Sequence, residues 1–159
     1  MNKPLVRAVL LLVVAASGVA IAAALASDPV IGTWKLNAAK STFTAGPPMK
    51  DQTRTYSQDG QRISLVMKAT GADGKQTTSE TTYQLDGKDY AVKGSPHFDS
   101  LSAQQVDSHT AKFTLKRGGK AIGTTSRSVS KDGKTLTSKM KLTTASGGEL
   151  DNVLVFDKQ

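Results

Sequence analysis

The chain has 159 residues, no Cys and a formal net charge of +8. That length suits one domain, and the absence of Cys excludes disulfide staples, thiol chemistry and a Cys-anchored lipoprotein. Lys and Arg stand singly among Ser and Thr, and only 5% of residues are aromatic, so the stacking platform of a single-stranded nucleic-acid face is missing. Dispersed Lys reads as the wet side of strands, guarded against edge-to-edge association; weak contact with an anionic envelope surface is the alternative use of the charge.

Met1–Arg7 carries Lys3 and Arg7 and no acid, and Ala8–Ala26 is an unbroken small-and-apolar run ending in Ala24-Leu25-Ala26. A basic start, an apolar stretch and a small-x-small end predict an export signal over residues 1–26, cleaved after Ala26. The rival is an uncleaved anchor, since the run only just reaches the about 20 residues of a membrane helix. Cleavage leaves a domain over 27–159 with a net charge of +6, located in the periplasm or secreted.

The remainder reads as strands. Asp59-Gly60, Asp73-Gly74, Asp86-Gly87, Gly118-Gly119, Asp132-Gly133 and Gly147-Gly148 separate alternating segments, and each pair predicts a hairpin with a type I′ turn. Ten strands are expected: Val30–Leu36, Gln52–Ser57, Arg62–Thr70, Gln76–Leu85, Asp89–Val92, Phe98–Val106, Thr110–Arg117, Ala121–Val129, Thr135–Thr144 and Leu150–Asp157. Period-two alternation is clearest for Ile63, Leu65, Met67 and Ala69, for Ala111, Phe113 and Leu115, and for Leu136, Met140 and Leu142. One wet face and one apolar face mean antiparallel sheet. Short connections make sequence neighbours into sheet neighbours, and closure removes the edges of so large a sheet. The expected fold is therefore all-β: a single antiparallel up-and-down β-barrel of about 8–10 strands. Ala38–Lys50, with Gly46-Pro47-Pro48, is expected as a loop at one mouth.

Ile31-Gly32-Thr33-Trp34-Lys35-Leu36 resembles the Gly-x-Trp first strand of lipocalins, and more closely the opening of fatty-acid-binding proteins. Asn152–Lys158 resembles the last strand of the same barrels, which together form the calycin group. Gly32–Asn37 with Ala39-Lys40-Ser41 is also similar to small secreted bacterial proteins of unknown function, a likeness that imports no activity. The resemblance implies a barrel whose closed end Trp34 plugs, with Gly32 letting the strand bend. It also exposes departures. Fatty-acid binders hold a carboxylate with an Arg and a Tyr two residues apart on the last strand, and here those positions read Leu154 and Phe156. The stretch after the first strand is too short for their two-helix lid. Arg127 falls near a second inward Arg of that family, but one residue out of step, and such a slip turns a side chain to the other face.

No catalytic constellation is visible. His97 and His109 lie beside turns, with only Asp99 or Asp107 to join them in a metal site that would need three or four ligands. No Ser is set in a nucleophile elbow, and Glu80 and Glu149 do not form a pair. The expectation is a monomeric, non-enzymatic protein without cofactor. It encloses a small neutral or weakly polar hydrophobic ligand against Leu65, Met67, Tyr83, Phe113, Met140 and Phe156, with Arg127 as a candidate polar anchor. The alternative is a filled barrel acting as a structural or interaction module of the envelope.

Overall fold

The computed structural model describes residues 27–44 and 48–159. The expected signal over Met1–Ala26 lies outside them, as do Gly46 and Pro47 of the loop. Ten strands follow in order: β1 (Gly32–Leu36), β2 (Asp51–Asp59), β3 (Arg62–Thr70), β4 (Gln76–Tyr83), β5 (Asp86–Lys93), β6 (Ser100–Asp107), β7 (Thr110–Arg117), β8 (Lys120–Val129), β9 (Thr135–Thr143) and β10 (Glu149–Lys158). Each pairs antiparallel with its neighbours in sequence, and β10 returns to β1, so the sheet closes.

Closure rests on a short seam. Trp34, Lys35 and Leu36 of β1 stand opposite Lys158, Asp157 and Phe156 of β10, while Gly32–Lys35 pair with Tyr56–Thr53 of β2. Gly32 has φ +130, a conformation that side chains rarely adopt, and this supplies the expected bend. Beyond β1 the chain does not leave the barrel. The Asn37 side chain caps a 3-10 turn over Ala38–Lys40, and Thr42 then pairs with Val153 through two backbone bonds of 2.7 and 2.9 Å. The segment expected as a free loop thus extends the seam along β10, bringing Phe43 to the mouth.

All but one of the expected hairpin positions hold, but the turn chemistry differs from the expectation. Among the described residues only Gly118 and Gly119, at φ +54 and +77, provide two adjacent left-handed residues, as a type I′ turn requires. No residue other than Gly has positive φ among the described residues, so the Asp-Gly turns cannot be type I′. Their Asp acts through its side chain instead: Asp73 and Asp132 accept from the N–H of Lys75 and Lys134, two residues on, forming Asx turns. Asp86-Gly87 is not a turn at all. The chain reverses before it, and both residues lie in β5 beside a register shift between Asp86 and Asp89.

Inward residues on all strands meet in one core, where Val30, Trp34, Ala103, Ala111, Leu136 and Phe156 are wholly buried. One contact on the wall is unusually close. Gly123 of β8 pairs with Leu115 on one side and Leu142 on the other, and a Cβ added there would overlap the Lys141 carbonyl and the Leu142 Cβ. Ala in a strand interior is normally better than Gly. Here Gly123→Ala is expected to destabilise by about 2–3 kcal/mol, as overpacking does, seen as a lower urea midpoint at unchanged slope. A midpoint equal to the parent's would mean that the strands part at no cost.

Candidate functional site: the barrel interior

One end of the barrel is packed shut and the other opens on a cavity. At the closed end Trp34 is fully buried, its indole N–H donating to the Val30 carbonyl at 2.6 Å, with the Lys158 ammonium 5.1 Å from the ring centre. The Trp therefore plugs the barrel as the resemblance implied.

Above this plug lies an ion pair that the sequence did not reveal. Arg127 of β8 is 4% exposed and points inward, settling the side-chain direction that its position left open. Its guanidinium meets the Asp28 carboxylate at 2.7 Å and donates to the Tyr83 hydroxyl at 2.8 Å. Asp28 reaches in from the strap before β1, where its other oxygen accepts from Val30 N–H. Burial opposes the Arg127 charge, but Tyr83, Tyr56 and Asp28 around it prevail and hold its pKa above the ordinary arginine value. Burial likewise pushes the Tyr83 phenol up, against the lowering effect of Arg127. Arg127 Nε is the one buried side-chain polar atom without a partner among the described residues. Tyr83 also meets Phe113 edge to face, with ring centres 5.4 Å apart. A buried charge needs such company, since an unpaired one costs several kcal/mol.

The cavity measures about 330 Å³. Leu65, Met67, Tyr83, Phe113, Arg127 and Met140, all expected on its wall, are there. Phe156, expected with them, does not line it. Its side chain points inward, but the Arg54 guanidinium lies over its ring, 4.4 Å from the centre. Leu154, at the family's other carboxylate-holding position, is buried and apolar on the wall. Polar groups are gathered on part of the wall by strands that looked unremarkable in sequence: Gln52 and Arg54 from β2, Ser79 and Thr81 from β4, Ser138 from β9 and Asn152 from β10. Arg54 Nε donates to the Gln52 side chain at 3.1 Å. On β2 the every-other-residue placement of Gln52, Arg54 and Tyr56 is their one trace in the sequence, and a faint one because Thr53 and Thr55 between them are polar too.

The mouth is framed by Phe43 and Met49, by Gly71-Ala72 and by the turn Ser95–Phe98. Arg117 donates to the His97 carbonyl through Nε at 2.7 Å and through a second nitrogen, pinning that turn. Burial, then the nearby Arg117 charge, hold His97 below the ordinary imidazole pKa. His97 is thus a rim residue, while His109 sits in the β7 approach at the other end and bonds Ser108. Among the described residues no group of three or more His, Asp or Glu is placed to hold a metal.

No family model matches the chain, and no curated protein matches it. Among solved structures it is similar to a redesigned β-barrel, mFAP1, bound to DFHBI, with TM-score 0.48, 15% identity, and 82% of this chain and 95% of that one covered. It is also similar to EF1p2_mFAP2b bound to DFHBI, with TM-score 0.48, 10% identity and coverages of 82% and 94%. A third similar structure is the siderocalin Ex-FABP, described as having dual ligand specificities, with TM-score 0.38, 10% identity and coverages of 82% and 74%. None of these three is a small secreted bacterial protein of the kind that the opening strand resembles. By its own strand order and closure, the chain is an up-and-down barrel of ten antiparallel strands zipped first to last, the all-β closed fold that the sequence led one to expect.

Proposed function

We propose that the protein is exported and holds a small, mostly apolar molecule inside its barrel without acting on it chemically. The observation that carries this is the cavity of about 330 Å³ above a fully packed closed end. A barrel serving only as a scaffold has no use for an unfilled interior, because every missing contact costs packing energy. The volume lies within the range of small-molecule sites, which combine apolar walls with a few placed polar groups. Leu154 and Phe156, in place of the carboxylate-holding pair, favour a body that is neutral or weakly polar over most of its length.

Native mass spectrometry of the purified protein, with phenylnaphthylamine titration, tests the reading. The dye is expected to bind with enhanced emission. Ser79→Phe, which places a ring in the cavity from a buried wall position, is expected to weaken it about tenfold or more, the loss of some 1.4 kcal/mol, without lowering the unfolding midpoint. If no dye binds and no small molecule accompanies the protein, the filled-barrel reading takes its place. Export is tested separately: sequencing the protein from the culture should find Ser27 at the amino terminus.

A further inference from the structure

We infer that the molecule held in the cavity carries one acidic end, a monoanionic carboxylate or sulfonate group, and that Arg54 receives it. This rests on the ligand-binding reading above and adds the chemistry of one end.

Among the described residues the interior contains two guanidinium groups, Arg54 and Arg127, and one carboxylate, Asp28. Arg127 has the carboxylate, Asp28, and the Tyr83 hydroxyl besides. Arg54 is only 9% exposed and has neither. Among the described residues its sole hydrogen bond runs from Nε to Gln52, and it enters no ion pair. The residues outside the described part cannot supply the missing partner, because Met1–Ala26 and 45–47 contain no Asp or Glu. Among the described residues no acidic side chain lines the cavity.

The Phe156 ring beneath the guanidinium offsets part of the cost of taking it from water, but a ring face does not satisfy N–H groups. The ring contact takes up one side of the guanidinium, 4.4 Å from the ring centre, and leaves its terminal nitrogens without a hydrogen-bond partner among the described residues. That is the presentation which suits two parallel bonds to an oxyanion. Gln52, Ser138 and Asn152 on the same wall add neutral hydrogen-bonding groups. Arg127 is a poorer receptor, since its two terminal nitrogens are already engaged.

Anilinonaphthalene sulfonate and phenylnaphthylamine share an aromatic body and differ by the sulfonate, so the pair isolates the acidic end. The parent protein should bind the sulfonate roughly ten- to a hundredfold more tightly, the scale of a charged hydrogen bond, and Arg54→Gln should bring the two dyes to the same affinity. Lys139→Gln, on the exposed outer face, should leave the preference intact. Equal affinity in the parent, or a preference that survives Arg54→Gln, overturns the inference while the cavity stands. Failure of both dyes overturns the cavity reading itself. Should Arg54→Gln not fold, displacement of phenylnaphthylamine from the parent decides: decanoate must outcompete decanol by about tenfold, and parity between them overturns the inference.

Discussion

Asp28→Asn is expected to cost about 3–5 kcal/mol, the range for removing one member of a buried ion pair. The substitution is nearly isosteric, and its remaining oxygen can keep the bond from Val30 N–H. The cost therefore falls on Arg127, whose charge would remain 4% exposed with only the Tyr83 hydroxyl beside it. A domain of this size is stable by about 5–15 kcal/mol, so the variant should lose a large share of its margin in urea unfolding. Because the pair is buried, added salt should change the difference little. Combining it with Arg127→Met, which removes the stranded charge, should give a protein more stable than Asp28→Asn alone. A variant within about 1 kcal/mol of the parent, the worth of a surface pair, would show that water reaches Arg127 and that the strap does not seal the closed end.

Trp34→Ala is expected to be at least as damaging, about 3–5 kcal/mol. Trp34 is wholly buried, and its loss opens a void between the two ends of the chain, since its backbone pairs with Arg54 on β2 and Lys158 on β10. It also strands the Val30 carbonyl that its N–H now satisfies. As the only Trp in the chain it carries the emission signal, so unfolding must be followed by far-ultraviolet circular dichroism. Trp34→Phe should cost less, keeping most of the packing and losing the hydrogen bond. If Trp34→Ala unfolds at the parent's midpoint, the plug is not what holds the closed end together.

Both predictions concern the same end of the barrel, and its parts differed in how visible they were. Trp34 stands out in any reading of this sequence, being the sole Trp in a Gly-x-Trp strand. Asp28 does not, because an Asp near the start of a domain looks like a surface residue. Arg54 and Gln52 were hidden for a related reason. The strand Asp51–Asp59 alternates Gln52, Arg54 and Tyr56 inside with Thr53 and Thr55 outside, so its two faces hardly differ in polarity and the alternation makes no contrast. In Thr110–Arg117, by comparison, Ala111, Phe113 and Leu115 alternate with Lys112, Thr114 and Lys116, and the inward face is plain. Arg127 was visible as a candidate but not in direction, which a shift of one residue reverses. Most turns were located correctly, Asp86-Gly87 being the exception, yet their type depends on φ at the residue before Gly, and among the described residues no Asp has positive φ.

From the sequence alone followed the ten strands, most of their hairpins and their closure into a barrel, while the family resemblance implied Trp34 at its base. Alternation and turn residues are properties of near neighbours, and the short links between strands leave few other ways to arrange them. Only the tertiary structure decided how the interior charges are matched. Asp28 and Arg127 are 99 residues apart, and Arg54 meets Phe156 across the closing strands. Whether a buried cation has a partner depends on which side chains converge in three dimensions, and no local pattern encodes that convergence.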